Sequence, residues 1–187
     1  MSNKTALVTG ASDGIGAEFL EILAGRSYDL ILVARREEKL NQLAERVTRE
    51  FGVDCTVMVS DLSEPNAAQN LFQRIEERGL QVNFLINNAG LLHNGFFTKL
   101  SLEAQEKMIY VNVLALTALT HLYAAKMSSN GGGHILNVAS LAGWMAIPNQ
   151  NVYAASKAYV VSFSQALSNE MIAANSGVQV TALCPGY

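Results

Sequence analysis

Short apolar, β-branched runs alternate along this chain with longer segments of helical period, and that alternation leaves few folds open. The runs fall at residues 5–9, 30–34, 55–59, 82–86, 135–138 and 178–183, and the helical segments at 15–23, 37–51, 64–77, 102–127 and 152–172. Strands that read as continuous hydrophobic stretches, separated by helices of ten or more residues, belong to a parallel sheet buried on both faces. The expectation is a single α/β domain over residues 1–187, doubly wound, with six strands and five or six helices. Right-handed crossovers leave few topologies, and 3-2-1-4-5-6 is the natural strand order. Gly131-Gly132-Gly133 reads as the turn into the fifth strand.

Half of the 187 residues are hydrophobic and 16% are charged, which supports one substantial core and excludes an intrinsically disordered chain. Thirteen Lys and Arg against sixteen Asp and Glu give a net charge of −3. No basic run exceeds Arg35-Arg36, so nucleic acid is not an expected partner. Cys55 and Cys184 lie in apolar, strand-like surroundings, without the spacing of a metal site, and read as reduced thiols. Met1-Ser2-Asn3-Lys4 enters an apolar run without the charged region, long apolar stretch and cleavage site of a secretory leader. Polar residues interrupt the apolar stretches before the roughly 20 residues that span a bilayer. A cytoplasmic protein without a membrane partner is expected.

Thr9-Gly10-Ala11-Ser12-Asp13-Gly14-Ile15-Gly16 follows the first strand and opens the first helix. Unpaired N–H groups and the positive end of the helix dipole favour a phosphate there. Gly10 suits the tight turn, Gly14 the close approach of a pyrophosphate and Gly16 the packing of helix on strand; glycines also serve any sharp turn. No Gly-Lys-Ser/Thr follows, which excludes the phosphate loop of nucleotide hydrolases. The second strand ends at Arg35-Arg36, where an NAD-binding sheet typically offers Asp or Glu to the ribose 2′-hydroxyl. A guanidinium is suited instead to a 2′-phosphate, donating two charge-assisted hydrogen bonds while staying ionised. The expected cofactor is therefore NADP(H), with Arg35 ahead of Arg36, against the plainer reading of two solvated arginines before a helix.

The glycine spacing, Asn87-Asn88-Ala89-Gly90 after the fourth strand and Tyr153-x-x-x-Lys157 downstream of Ser140 together resemble the classical branch of the short-chain dehydrogenase/reductase family. The resemblance runs from Thr5 to Tyr187, in order and at the family's spacings. It implies a Rossmann fold and a nicotinamide-dependent oxidoreductase that interconverts an alcohol and a ketone or aldehyde. It further implies that Asp61-Leu62 flank the adenine, that Asn87, Asn88, Ala89 and Gly90 line the cofactor cleft, and that Pro185-Gly186 begin the loop over the nicotinamide. Asn112 matches the catalytic asparagine, holding a bend in its helix and a relay water. The resemblance also implies that Lys157 hydrogen-bonds the nicotinamide ribose.

The chemistry also stands on the residues themselves. Tyr153 and Lys157, at i and i+4, share one helix face. A phenol ordinarily ionises near pH ~10, and an adjacent ammonium favours the phenolate, which turns it toward acid/base work. Ser140, at the carboxyl end of its strand, falls where open α/β sheets place ligands, and its hydroxyl can orient a carbonyl oxygen. Tyr on such a helix is also a common packing residue; it is the register with Ser140, Asn112 and the glycine turn that favours catalysis. Trp144, Met145 and Ile147 read either as lining of an apolar substrate pocket or as loop packing. His93, His121 and His134 read as structural or surface residues, with His93 the one placed to face substrate.

The sequence departs from the family after Pro185-Gly186. The usual substrate-binding lobe, the seventh strand and the Thr that follows the turn have no counterpart, so the chain reads as C-terminally truncated, with its sixth strand an open edge. Two readings follow. One is an NADPH-dependent carbonyl reductase that forms a homodimer or homotetramer through its long apolar helices. The other is a non-catalytic NADP(H)-binding module, or an inactive fragment of such an enzyme. Arg35→Ala is expected to weaken NADPH binding selectively. Unchanged NADPH affinity in a fluorescence titration removes Arg35 from the site.

Overall fold

The computed structural model describes residues 4–186. Met1, Ser2 and Asn3, on which the leader reading bears, and Tyr187, where the resemblance ends, lie outside the described residues. Six strands, β1 (Lys4–Thr9), β2 (Tyr28–Ala34), β3 (Cys55–Val59), β4 (Val82–Asn87), β5 (Gly133–Val138) and β6 (Val178–Leu183), form one parallel sheet in the order β3-β2-β1-β4-β5-β6. The crossovers carry α1 (Gly14–Ala24), α2 (Glu37–Phe51), α3 (Ala67–Glu77), α4 (Leu102–Ile109), α5 (Leu116–Ser129) and α6 (Asn151–Ala173). The doubly wound Rossmann-type fold expected from the alternation is the fold observed. Among the described residues, β3 and β6 are the sheet edges.

Period-two alternation within each strand feeds two cores. Leu7, Ile31, Leu85 and Ile135 face α3 and α5, where they meet Leu71, Ile75, Leu119 and Tyr123. The intervening Ala6, Val8, Leu30, Leu32 and Ile86 face α1 and α2, against Leu20, Leu23, Leu40 and Val47. Burial on both faces explains why the strands read as unbroken apolar runs. The helices bury one stripe each: Leu40, Ala44 and Val47 on α2 follow i, i+4, i+7.

The segment read as one helix over 102–127 is more structured than its periodicity indicates. A wide, π-type turn over Tyr110–Ala115 joins α4 to α5, and Asn112 sits within it. Such turns leave the helical hydrogen-bond ladder locally out of step and occur often at functional sites. From Leu102 to Ser129 the helix runs 28 residues with a stretch of mean hydropathy 1.5, long and apolar enough to cross a membrane by length and composition alone. This corrects the expectation that polar residues keep every apolar stretch short. Half of that stretch is buried inside the domain, because Leu116, Leu119, Tyr123 and Met127 pack against the sheet and neighbouring helices.

A polar chain threads this core. Asn87 Nδ2 donates to Thr120 Oγ1 at 3.0 Å and to Asn137 Oδ1 at 2.9 Å, and Asn137 Nδ2 donates to Ser164 Oγ at 3.0 Å. All four residues are buried, so the chain ties β4, α5, β5 and α6 at one depth beneath the carboxyl edge of the sheet. Asn137→Ala removes a hydrogen bond from each of three buried partners, Asn87, Thr120 and Ser164, and is expected to lower stability by at least about 1–3 kcal/mol. The urea midpoint measures this.

Candidate active site

The site begins where β1 and β4 part company. Beyond that point their loops diverge, and the backbone groups left over must find other partners. Thr9 Oγ1 donates to the Ile86 carbonyl at 3.3 Å and accepts the N–H groups of Asn88 and Ala89, each at 3.0 Å. Asn88 Nδ2 returns the tie, donating to the carbonyls of Thr9 at 3.0 Å and Gly10 at 3.2 Å. Gly10 turns the chain with φ +65°, and a Cβ on Gly16 would overlap the Gly10 carbonyl and Asn88 Nδ2. The glycine turn, α1 and the Asn88 loop are thus locked in close contact, while a Cβ on Gly14 would meet nothing within 4 Å. That opening lies at the start of α1, whose first N–H groups have no partner within the helix.

The cleft beside it measures about 360 Å³ and is lined by Gly10, Ser12, Asp13, Ile15, Arg35, Arg36, Asp61, Leu62, Asn88, Ala89 and Gly90, among others. The structure therefore brings together eleven of the residues singled out from sequence. At its outer end, Arg36 Nη2 donates to Ser12 Oγ at 3.0 Å and pairs with the Asp13 carboxylate. Lys39 Nζ reaches the same carboxylate at 3.2 Å. Hydrogen bonds from Arg36 first and Lys39 second hold the Asp13 carboxyl below the usual range. Arg35 lies 3.7 Å from Asp61. Partial burial raises the Asp61 carboxyl, but the Ser63 N–H at 3.0 Å and hydroxyl at 2.7 Å outweigh it and hold the group low.

A second group of residues gathers at the other end of the Asn88 loop. Asn112, fully buried, clamps Leu91: its Oδ1 accepts the Leu91 N–H at 2.8 Å and its Nδ2 donates to the Leu91 carbonyl at 2.9 Å. The same Nδ2 donates to Ser156 Oγ at 3.0 Å, and Ser156 Oγ donates to the Tyr153 carbonyl at 2.7 Å. Lys157 Nζ lies 5.7 Å from the centre of the Tyr153 ring and donates to the Val138 carbonyl at 2.7 Å. A Cβ on Gly90 would sit 3.5 Å from both Lys157 Nζ and Asn112 Oδ1, so a larger residue would crowd both. Burial pushes the Lys157 ammonium down to about 8, with Cys184 acting in the opposite sense. Ser140 Oγ accepts the Ala142 N–H at 3.1 Å, capping a short turn over Leu141–Trp144. Pro185 accepts the Leu141 N–H at 3.0 Å, which lays Pro185-Gly186 against that turn.

Tyr153, Lys157, Ser140, Pro185 and Gly186 do not line the 360 Å³ cleft; Lys157 adjoins it at Gly90, Tyr153 is tied to it through Ser156 and Asn112, and Ser140, Pro185 and Gly186 gather at the Leu141–Trp144 turn. One expectation is corrected: Asn87 is buried, with its amide directed at Thr120 and Asn137 rather than at the cleft, because it closes β4 and points into the core. Trp144, Met145 and Ile147 line a separate open groove of about 580 Å³ with Ala154 and Ala155 of α6, and the first two are exposed. Sequence reading missed Lys39, one helical turn beyond Arg36, and Ser156, one residue before Lys157. Helical spacing brings each into view, Lys39 three residues after Arg36 and Ser156 three after Tyr153.

The short chain dehydrogenase family profile matches residues 4–187. The chain is 35% identical over 188 residues to a very-long-chain 3-oxoacyl-CoA reductase of Anas platyrhynchos, covering 97% of this chain and 59% of that protein. Among solved structures, it resembles the bulky-bulky ketone specific alcohol dehydrogenase from Comamonas testosteroni with a TM-score of 0.92 at 33% identity, covering all of this chain and 73% of that one. It resembles a short-chain dehydrogenase from Sphingobium yanoikuyae in complex with NADPH with a TM-score of 0.91 at 37% identity, covering 98% and 70%. The chain belongs to the short-chain dehydrogenase/reductase family of oxidoreductases, which bind a nicotinamide cofactor. The open cradle at Gly14, the free helix start behind it and the cations at the outer corner fit such a dinucleotide.

The buried Lys157 makes a pH-dependent contribution. An unfolded lysine stays protonated to about 10.5, so between 8 and 10.5 the unfolded chain binds more protons and folding is favoured as pH rises. Relative to Lys157→Met, the parent is expected to gain stability across that window, as read from urea midpoints at pH 7, 9 and 10.

Proposed function

We propose that this protein is an NADP(H)-dependent oxidoreductase that interconverts a secondary alcohol and a ketone, or a primary alcohol and an aldehyde, with Tyr153 as the general acid/base. The observation that carries the reading is the meeting of Tyr153, the buried Lys157 and the Asn112 clamp beside Gly90, at the carboxyl edge of a sheet whose glycine turn offers a phosphate cradle. Gly10, Ser12, Gly14, Ile15 and Gly16 would hold the pyrophosphate, Asp61 and Leu62 the adenine, Arg35 and Arg36 the 2′-phosphate, and Asn88, Ala89 and Gly90 the middle of the dinucleotide. Pro185-Gly186 would border its nicotinamide end. When bound, the nicotinamide supplies or accepts a hydride.

The chain's own residues handle the proton and the orientation. In reduction, the Tyr153 hydroxyl gives its proton to the carbonyl oxygen as alkoxide charge develops; in oxidation the phenolate takes it back. Lys157, cationic at neutral pH and held beside the ring by the Val138 carbonyl, stabilises negative charge on the phenol oxygen and donates to the cofactor ribose. Ser140 orients the substrate oxygen from the end of β5. Asn112 fixes the Leu91 backbone and, through Ser156, the turn of α6 that bears Tyr153.

The apolar groove of Trp144, Met145 and Ile147 lies between Ser140 and Tyr153 in sequence and favours a moderately apolar carbonyl compound. The NADPH held by one similar structure and the ketone specificity of another support the same reading. The whole described chain acts as one dinucleotide-binding unit. Exposed Ile109, Tyr110 and Leu114, around the wide turn, support self-association into a homodimer or homotetramer. The free thiols of Cys55 and Cys184 suit the cytoplasm.

Tyr153→Phe decides between catalyst and binding module. It is expected to retain NADPH affinity while losing at least about a hundredfold in turnover, the scale of general acid–base catalysis. Rates are measured as NADPH oxidation against a panel of aldehydes and ketones. Turnover retained at the parent level contradicts the assignment, and a parent that binds NADPH without turning over any carbonyl favours the non-catalytic module.

A further inference from the structure

The outer corner of the cleft holds a carboxylate where a phosphate site would gain from having none. Asp13 stands at the position that precedes α1, yet its side chain makes no capping hydrogen bond to the helix. It turns outward instead and engages two cations from the start of α2: Arg36, through Nη2, and Lys39, with Nζ at 3.2 and 3.4 Å from its two oxygens. Arg35 is drawn aside toward Asp61. Among the described residues, Arg36 and Lys39 are therefore the cations bonded to the glycine turn, and Asp13 already engages both. Their shared carboxylate is held below the usual range and stays ionised at neutral pH.

We propose that Asp13 is a selectivity-setting residue of the cofactor site: it competes with the 2′-phosphate for Arg36 and Lys39, and thereby limits the preference for NADP(H) over NAD(H). Lys39 is, on the same argument, the second cation of the phosphate subsite. The inference rests on the NADP(H) reading given above. A phosphate monoester carries close to two negative charges at neutral pH and demands donors that are free to turn toward it. With Asp13 in place, it must exchange partners with a carboxylate and then lie beside it. NAD(H) brings only a neutral hydroxyl to this corner and leaves the Asp13 pairs undisturbed. Both cofactors carry the same pyrophosphate, so any general effect of the Asp13 charge on the glycine turn cancels in the ratio of their affinities. All three side chains are about half exposed, which keeps the exchange energetically small and salt-sensitive.

The test is the dissociation constant of NADPH and of NADH, by cofactor fluorescence at fixed pH and low salt, for the parent, Asp13→Asn and Lys39→Gln. Asparagine keeps the shape and an acceptor oxygen while removing the charge. Asp13→Asn is expected to raise the NADPH-over-NADH ratio by about 1.5–5-fold, chiefly through tighter NADPH binding, the size of effect expected of one exposed charge pair. Lys39→Gln is expected to lower the ratio, and 0.5 M salt to shrink both effects. A ratio that is unchanged or reduced in Asp13→Asn, in a parent that prefers NADPH, overturns the competition and makes Asp13 a brace for Arg36. A parent and an Asp13→Asn variant that both bind the two cofactors equally overturn the NADP(H) reading, and with it this inference.

Discussion

The tie between β1 and β4 at their carboxyl ends is the constraint on which the rest of the structure depends. In a doubly wound sheet the chain leaves β1 toward one face and β4 toward the other, so a crevice opens between their loops. The same divergence strands backbone N–H and carbonyl groups that the ladder no longer pairs. Thr9 and Asn88 meet that demand with side-chain atoms, and they do so across nearly 80 residues of sequence. The crevice is thereby held open at a defined width, with Gly16 allowing α1 to come close behind it. Every other feature of the site is placed relative to this junction: the free start of α1 on one side, Gly90 and Asn112 on the other.

Downstream of the junction the structure converts buried hydrogen bonding into positional precision. Asn112 sits in a turn too wide for ordinary helical pairing, and its amide reads both polar groups of Leu91. Through Ser156 it also reaches the backbone of Tyr153. Beneath this level, the chain from Asn87 to Ser164 ties the same strands and helices a second time. Polar networks of this kind add little net stability but penalise any misalignment, since a broken member leaves a buried group unpaired. They are suited to holding a lysine that burial disfavours as a cation and that the Val138 carbonyl compensates in part.

The two ends of the site obey different electrostatics. The Lys157 end is dry, and one charge there acts strongly. The Arg36 end is solvated, so five charged groups partly cancel and each acts weakly. On the proposed reading, single charge changes at the outer corner tune cofactor binding, while the inner end tolerates little change in either charge or shape.

Much of this was legible in the order of the residues, because periodicity and spacing are local. Alternation of β-branched runs with helical segments dictated the layers and the strand order, the glycine turn marked the cleft, and the Tyr153-x-x-x-Lys157 spacing marked the helix face beyond it. The sequence by itself also determined that Tyr153 and Lys157 share a face, since helix geometry settles that. Only the tertiary structure decided that Asn87 turns into the core while Asn88 faces the cleft, that Asn112 lies in a wide turn, and that Lys157 is desolvated against Val138. It alone decided that Asp13 spends its charge on Arg36 and Lys39. Each of these depends on which atoms from distant segments meet, and on how much water is left between them, and neither quantity has a signature along the chain.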